Sequence, residues 1–316
     1  MRKLALAALI AVAAAYPVLA PNRFFIHLGI MALLYVLLGT SWNLLGGYAG
    51  QISFGHAAFF GTGAYTSTIL LLKLGISPWP GMLAGGLLAA LLSIPVGWLT
   101  LRLRGPYFAL ATLAASEVLR IMVFNWDRLT GGGDGLNILV NLGGLLQFYY
   151  IALALACAAV AVVWAITRSR WGIFLNAIRE DEEAAEALGV AATRMKLTAL
   201  VLSAFFVALG GSFFASYHLY ISPDLVFESS ISIQMIIVSI VGGLGTLEGP
   251  VLGAVIMIPL SEYFRGLSPV ANLLIYGIFI VLFMTLMPEG IIGASRRMFQ
   301  RRDTAPEEGI NAASAS

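Results

Sequence analysis

Charge is scarce in this chain. Only 11% of its 316 residues are charged, 18 Lys or Arg against 16 Asp or Glu, while 59% are hydrophobic. At a mean hydropathy of +0.91 a soluble domain would leave too much apolar surface in water to stay dissolved. The net charge of +2 is too small to point to nucleic acid. Cysteine is nearly absent: Cys157 stands alone in an apolar stretch, so it closes no intrachain disulfide and makes no metal site by itself. It reads as a small buried hydrophobe. The three histidines, His27, His56 and His218, are scattered without ligand spacing, so no metal is expected. No nucleophile–base spacing is visible, and the phosphate-binding pattern G-x-x-x-x-G-K-[ST] is missing. The chain reads as neither an enzyme nor an ATPase.

What the sequence has in abundance is apolar length. Stretches near the ~20 residues that cross a hydrocarbon core recur at 26–45, 54–72, 81–100, 106–124, 149–167, 197–217, 250–264 and 273–288, with a short one near 231–242. Residues 4–20 follow Arg2 and Lys3, a pattern shared with secretory signal peptides. Cleavage would put Pro21 first in the mature chain, a poor context, so an uncleaved first helix is predicted. The expected fold is therefore all-α: a polytopic transmembrane bundle of about ten spans over 1–292. The short span either crosses or re-enters, because "VGGLGTLEGP" at 241–250 interrupts it. The 34 glycines suit close helix packing in such a bundle. Residues 293–316 have the composition of a disordered tail.

Ten spans place both termini on one side, and the basic residues agree. Thirteen of 18 fall on that side: Arg2, Lys3, Arg102, Arg104, Arg168, Arg170, Arg179, Arg194, Lys196, Arg296, Arg297, Arg301 and Arg302. Arg23, Lys73, Arg128 and Arg265 fall on the other, and Arg120 lies in or near the end of a span. The richer side is expected to be cytoplasmic, with both termini. The loop from Arg168 to Lys196 then becomes the long cytoplasmic loop, holding ten of the chain's 34 charged residues. The long loop on the opposite face is 125–148, where "TGGGDG" demands an irregular turn.

Within the cytoplasmic loop, 177–188 reads as one amphipathic helix. Ile178, Ala185 and Leu188 share a face at i, i+7 and i+10, with Ala184 beside them. Gly189 is placed as a left-handed C-terminal cap, and Thr193 as the cap of the next helix. Glu180, Asp181 and Glu182 are expected to face water. An acidic face is unsuited to anionic lipid, so a protein partner fits better than the membrane surface. A solvated charge run remains the plain alternative.

The residues of this loop also resemble a known family. "EAAEALG" at 183–189 resembles the loop by which permeases of ATP-driven (ABC) transporters dock on their ATPases, and "NAIREDEEAAEALGV" is similar to the LivM-type permeases of branched-chain amino acid importers. "WNLLGGYAGQISFGHAAFFGTGAY" (42–65), "RLRGPYFALATLAASE" (102–117) with "LTGGGDGL" (129–136), and "IVGGLGTLEGPVLGA" (240–254) agree with the same family in order.

The resemblance implies a type II-like importer permease in the bacterial cytoplasmic (inner) membrane. It would be paired with a second permease, fed by a periplasmic substrate-binding protein and driven by two ATPase subunits that hold ATP and Mg. This chain itself would bind no cofactor. The coupling helix would comprise Glu183, Ala184, Ala185, Glu186, Ala187, Leu188 and Gly189. Urea, amides or sugars are alternative cargoes on the same scaffold, and a self-sufficient channel or secondary transporter is the rival of another class.

Inside the spans, ionisable groups are costly and often functional. Glu117 and Arg120 stand at i, i+3 and can pair. Gln51, Ser53 and His56 follow a glycine-rich stretch, either lining a translocation path or being satisfied locally; Glu117 is a further path candidate. The run around Glu248 has the same flavour and the same two readings. Arg128 and Asp134 are candidates for docking the binding protein, against an ordinary connector.

Overall fold

The structure is a computed structural model that describes residues 12–140 and 142–267, together with 277, 285 and 290–293. Nearly all of the expected span at 273–288, the tail beyond 293 and the first residues of the N-terminal span lie outside the described residues. A helical stretch covers residues 12–19. The long helices that follow are α1 (Arg23–Asn43), α2 (His56–Leu74), α3 (Pro78–Thr100), α4 (Pro106–Phe124) and α5 (Leu145–Arg168). Two shorter helices, α6 (Arg170–Glu180) and α7 (Glu182–Ala187), precede α8 (Ala192–His218), α9 (Ser229–Gly242) and α10 (Gly249–Leu267).

Local chemistry sets several of these boundaries. Asn22 caps α1 by accepting from the N–H groups of Phe24 and Phe25. Prolines open α3 and α4, where a missing N–H costs nothing. Beyond Asn43 the first helix loosens into a π-turn over Leu44–Tyr48, a geometry found mostly as single turns and frequently at functional sites.

Seven segments among the described residues have the length and apolarity to cross a membrane: Arg23–Tyr48, His56–Leu74, Pro78–Thr100, Pro106–Phe124, Leu145–Arg168, Ala192–His218 and Pro223–Gly242. Gly249–Phe264 is a shorter apolar helix. The stretch read from sequence as a short span from 231 is longer than expected. It starts with a helical turn at Pro223–Val226, breaks near Phe227 and continues as α9. The hydropathy reading missed this beginning because Ser222, Asp224, Glu228, Ser229 and Ser230 dilute it.

α8 is the central post. It packs most extensively on α2 and α3, and also on α1. The approach is close because small residues line it. A Cβ on Gly63 would stand 2.0 Å from the Ala208 carbonyl oxygen, and one on Gly211 would stand 1.9 Å from that of Phe60. Ser212 seals the same seam by donating to the Gly63 carbonyl at 2.8 Å. Around it, α1 packs on α5 and α10, and α10 packs on α9.

Two contacts join loops that the charge count placed on the same side. Arg104 pairs with Glu183, joining the 102–105 turn to the 168–196 loop. On the same face Arg102 lies 4.1 Å over Trp98 and Arg168 lies 4.6 Å over Trp164, aromatic–cation pairs of the kind that anchor helix ends at an interface. On the other face Lys73 donates to the Arg128 carbonyl at 2.8 Å. There the 125–148 loop is more ordered than a bare connector. It contains a helical turn at Asp127–Thr130, positive-φ backbone at Gly131, Gly132 and Gly135, and a strand β1 (Leu136–Asn137). That strand pairs antiparallel with β2 (Tyr220–Ile221), a small exception to the all-α expectation.

Candidate functional site

The 168–196 loop folds as two helices, not the single helix that its periodicity suggests. Asp181 takes an extended conformation at φ −155°, ψ 109° and caps α7, its Oδ1 accepting from the Ala184 N–H at 3.0 Å. A short acid that satisfies a free N–H outcompetes continuation of the helix. At the other end Gly189 is left-handed at φ +86°, as predicted. The Gly189 N–H donates to the Glu186 carbonyl at 2.9 Å, and that of Val190 to Ala185 at 3.0 Å, the paired bonds of a Schellman end. Thr193 does not cap α8; Ala191 precedes the helix, and Thr193 stands exposed in its first turn.

The break at Asp181 re-aims the apolar residues. Ile178 and Ala185 are buried together with Ala192. Leu188, expected on that face, is 86% exposed instead. Glu183, Ala184, Glu186, Ala187 and Gly189 are exposed with it. So α7 rests on Ala185 and presents the rest of the motif outward.

Three basic side chains tether this loop to three parts of the bundle. Lys196, on α8, has a side chain only 1% exposed and donates to Glu182 at 2.6 Å. Glu182 therefore does not simply face water, which corrects the sequence reading. Arg104 donates to Glu183 at 2.5 Å on the open surface, and the carboxylate beside it raises the guanidinium further above its ordinary pKa. Arg179 Nη1, from α6, donates to the Gly47 carbonyl at 3.0 Å.

That last contact leads to a meeting that sequence reading missed. The two glycine stretches, near residues 46–50 and 242–249, touch. Asn43 Nδ2 donates to the Thr246 carbonyl at 2.8 Å, and its Oδ1 accepts from the Gly245 N–H at 3.0 Å. The two runs share a glycine-rich flavour in sequence, but nothing in that indicated contact.

The intramembrane candidates separate. His56 is fully buried, with Nδ1 3.1 Å from Ser53 Oγ and Nε2 2.8 Å from Ser203 Oγ. Ser203 donates its own proton to the Ser41 carbonyl at 2.6 Å, so it accepts from Nε2–H, and Nδ1 accepts from Ser53; this pattern assigns a neutral tautomer. The ring thus ties α1, α2 and α8. Gln51 is half-buried in the segment before α2. Glu117 does pair with Arg120, at 2.5 Å, and Arg120 also reaches Asp224 at the start of the broken α9 span. Arg128 and Asp134 are exposed on the opposite face from the 168–196 loop, in the glycine-rich turn.

A bundle of long apolar helices broken by glycine junctions, with a structured polar loop carried on one face, defines a helical membrane permease. The family described as branched-chain amino acid transport system, permease component, matches residues 24–286, and the chain belongs to it. It is 30% identical over 326 residues to the high-affinity branched-chain amino acid permease LivM of Salmonella typhimurium, covering 93% of this chain and 76% of that one. The LivM protein of Escherichia coli is 29% identical over 335 residues, covering 96% and 78%. A fructose import permease, FrcC of Rhizobium meliloti, is 31% identical over 130 residues, 39% of this chain and 36% of that one. No solved structure matches the chain significantly.

Proposed function

We propose that this chain is one of two permeases that together enclose a path for branched-chain amino acids, and that ATPase subunits drive it through the 168–196 loop. Sugar import has weaker support, since the fructose permease resembles 39% of the chain, whereas the LivM relatives resemble 93% and 96%. Positive charge on the loop face argues for the cytoplasmic side of a bacterial inner membrane. The partner ATPases would then supply ATP and Mg, and a periplasmic binding protein would meet the opposite face near Arg128 and Asp134.

One observation carries the coupling assignment. Leu188, 86% exposed, stands at the tip of a helix whose other side is locked down by Ala185. A leucine held in water at the end of a polar loop is stabilised by entering an apolar groove, by about 1.5–3 kcal/mol when fully covered. The small neighbours Ala184, Ala187 and Gly189 let a groove close around it, and Glu183 and Glu186 flank it with charge for a basic or polar rim. Ser53 and His56 serve transport by holding α1, α2 and α8 in place.

The test is co-purification of the ATPases with variants of this chain. Leu188→Asp should release them and stop uptake while leaving the permease folded, because the side chain touches little of its own chain. Gly189→Val should do the same by straining the left-handed turn. Normal assembly and uptake in both would refute the coupling role.

A further inference from the structure

The cytoplasmic loop and the inner ends of two distant helices share one side chain. Arg179, one residue from the end of α6, donates through Nη1 to the Gly47 carbonyl in the π-turn after α1. Gly245, at φ +71°, lies beneath the guanidinium: a Cβ there would stand 2.2 Å from Nη1 and 2.9 Å from the Gly47 oxygen. Gly50, at φ +70°, supports the stem: a Cβ there would stand 3.4 Å from Arg179 Cα. Three glycines from two stretches about 200 residues apart thus form the seat of one arginine. Asn43 binds those stretches to each other through Gly245 and Thr246.

This arrangement has a mechanical consequence. α6 and α7 are fixed to α8 by the Lys196–Glu182 pair and by Ile178, Ala185 and Ala192, so the loop and α8 move together. α1 runs on into a π-turn and α9 ends at the Gly242–Gly243 pair, the kinds of place where helices bend. A hydrogen bond of 3.0 Å does not survive a shift of much more than about half an ångström without its acceptor following. We propose that Arg179 is the positioning residue that transmits displacement of the coupling loop to the glycine junction joining the inner ends of α1, α9 and α10. This rests on the coupling reading above.

The experiment reconstitutes the full importer with Arg179→Met, which keeps the length and removes the donors, and with Arg179→Lys, which keeps one. Three quantities are read: ATPase subunits co-purified, ATP hydrolysed with and without loaded binding protein, and leucine taken up per ATP. Arg179→Met should keep its ATPases and hydrolyse ATP, but lose stimulation by the binding protein. Its uptake per ATP should fall about tenfold or more, the scale of one charge-assisted hydrogen bond. Arg179→Lys should fall between the two. A structural role alone would change yield without changing the ratio.

Unchanged uptake per ATP in Arg179→Met overturns the proposal. So does loss of the ATPases in that variant, which would make Arg179 a docking residue. Should Arg179→Met fail to fold, Arg179→Lys decides, and a wild-type ratio there overturns it. If the wild-type chain retains no ATPase, the coupling reading fails and this one falls with it. If the ATPases stay and only the ratio is unmoved, Arg179 alone has been misread.

Discussion

Removing the carboxylate of Glu182 should unseat the 168–196 loop. The Lys196 side chain is 1% exposed and that of Glu182 is 19% exposed, with 2.6 Å between their charged atoms. Glu182→Ala leaves an ammonium in a buried site without its anion, and stranding one partner of such a pair costs about 3–5 kcal/mol. Lys196→Met should cost less, because the carboxylate left behind is nearer water and can hydrate. The double variant should then recover part of the loss, with a coupling energy of about 1–3 kcal/mol between the two sites. The loop contains Arg179 and Arg194, both exposed, so trypsin reports its opening. When reclosing is fast, cutting follows the open population. A loss of 3 kcal/mol corresponds to cutting about a hundredfold faster. Glu180→Ala is the control, since Glu180 is exposed in the same acidic run. Equal cutting rates in Glu182→Ala and Glu180→Ala would refute the reasoning, and so would a double variant worse than either single one.

The remaining expectations concern other levels of the structure. Gly63→Val should abolish folded yield in size-exclusion chromatography, since its Cβ falls 2.0 Å from the Ala208 carbonyl; Gly75→Ala, with nothing within 4 Å, should cost only about 1–2 kcal/mol of backbone strain. His56→Phe should lower the melting temperature in detergent by removing bonds to Ser53 and Ser203, a loss of about 1–3 kcal/mol, and an unchanged melt would count against the tie it makes between α1, α2 and α8. Arg128→Ala with Asp134→Ala should leave folding intact and weaken uptake that depends on the binding protein; full uptake would leave that turn an ordinary connector. Proteoliposomes holding this chain alone should not transport leucine, and transport by the lone subunit would overturn the importer reading.

Some features were legible because a single local rule governs them. Hydropathy located the long helices from Arg23 to His218, since each has to supply its own apolar length. Glycine in an acidic, helical context predicted the left-handed turn at Gly189. Charge counting sorted the loops onto two faces. The ion pair of Glu117 with Arg120 followed from helical spacing alone, but its third member, Asp224, is 104 positions from Arg120 and gave no local signal.

The features that set the site were decided by competition or by distance. Asp181 has two ways to behave, as one more acid in a helix or as the cap of a new one, and only the N–H of Ala184 resolves which is adopted. That choice rotates α7, so Leu188 leaves the face it shares with Ile178 on paper and enters water. The same rotation brings Glu182 to Lys196, a residue that charge counting treated as an ordinary loop cation. Arg179 was one basic residue among thirteen on its side, and nothing nearby in sequence distinguishes it. What distinguishes it is the absence of a side chain at Gly245, whose Cβ would stand 2.2 Å from the guanidinium, and the room that Gly50 leaves beside the stem. The acidic run at 180–186 is therefore not one feature. Asp181 shapes the loop, Glu182 anchors it, and Glu183 and Glu186 remain on the surface beside Leu188, where a partner would meet them.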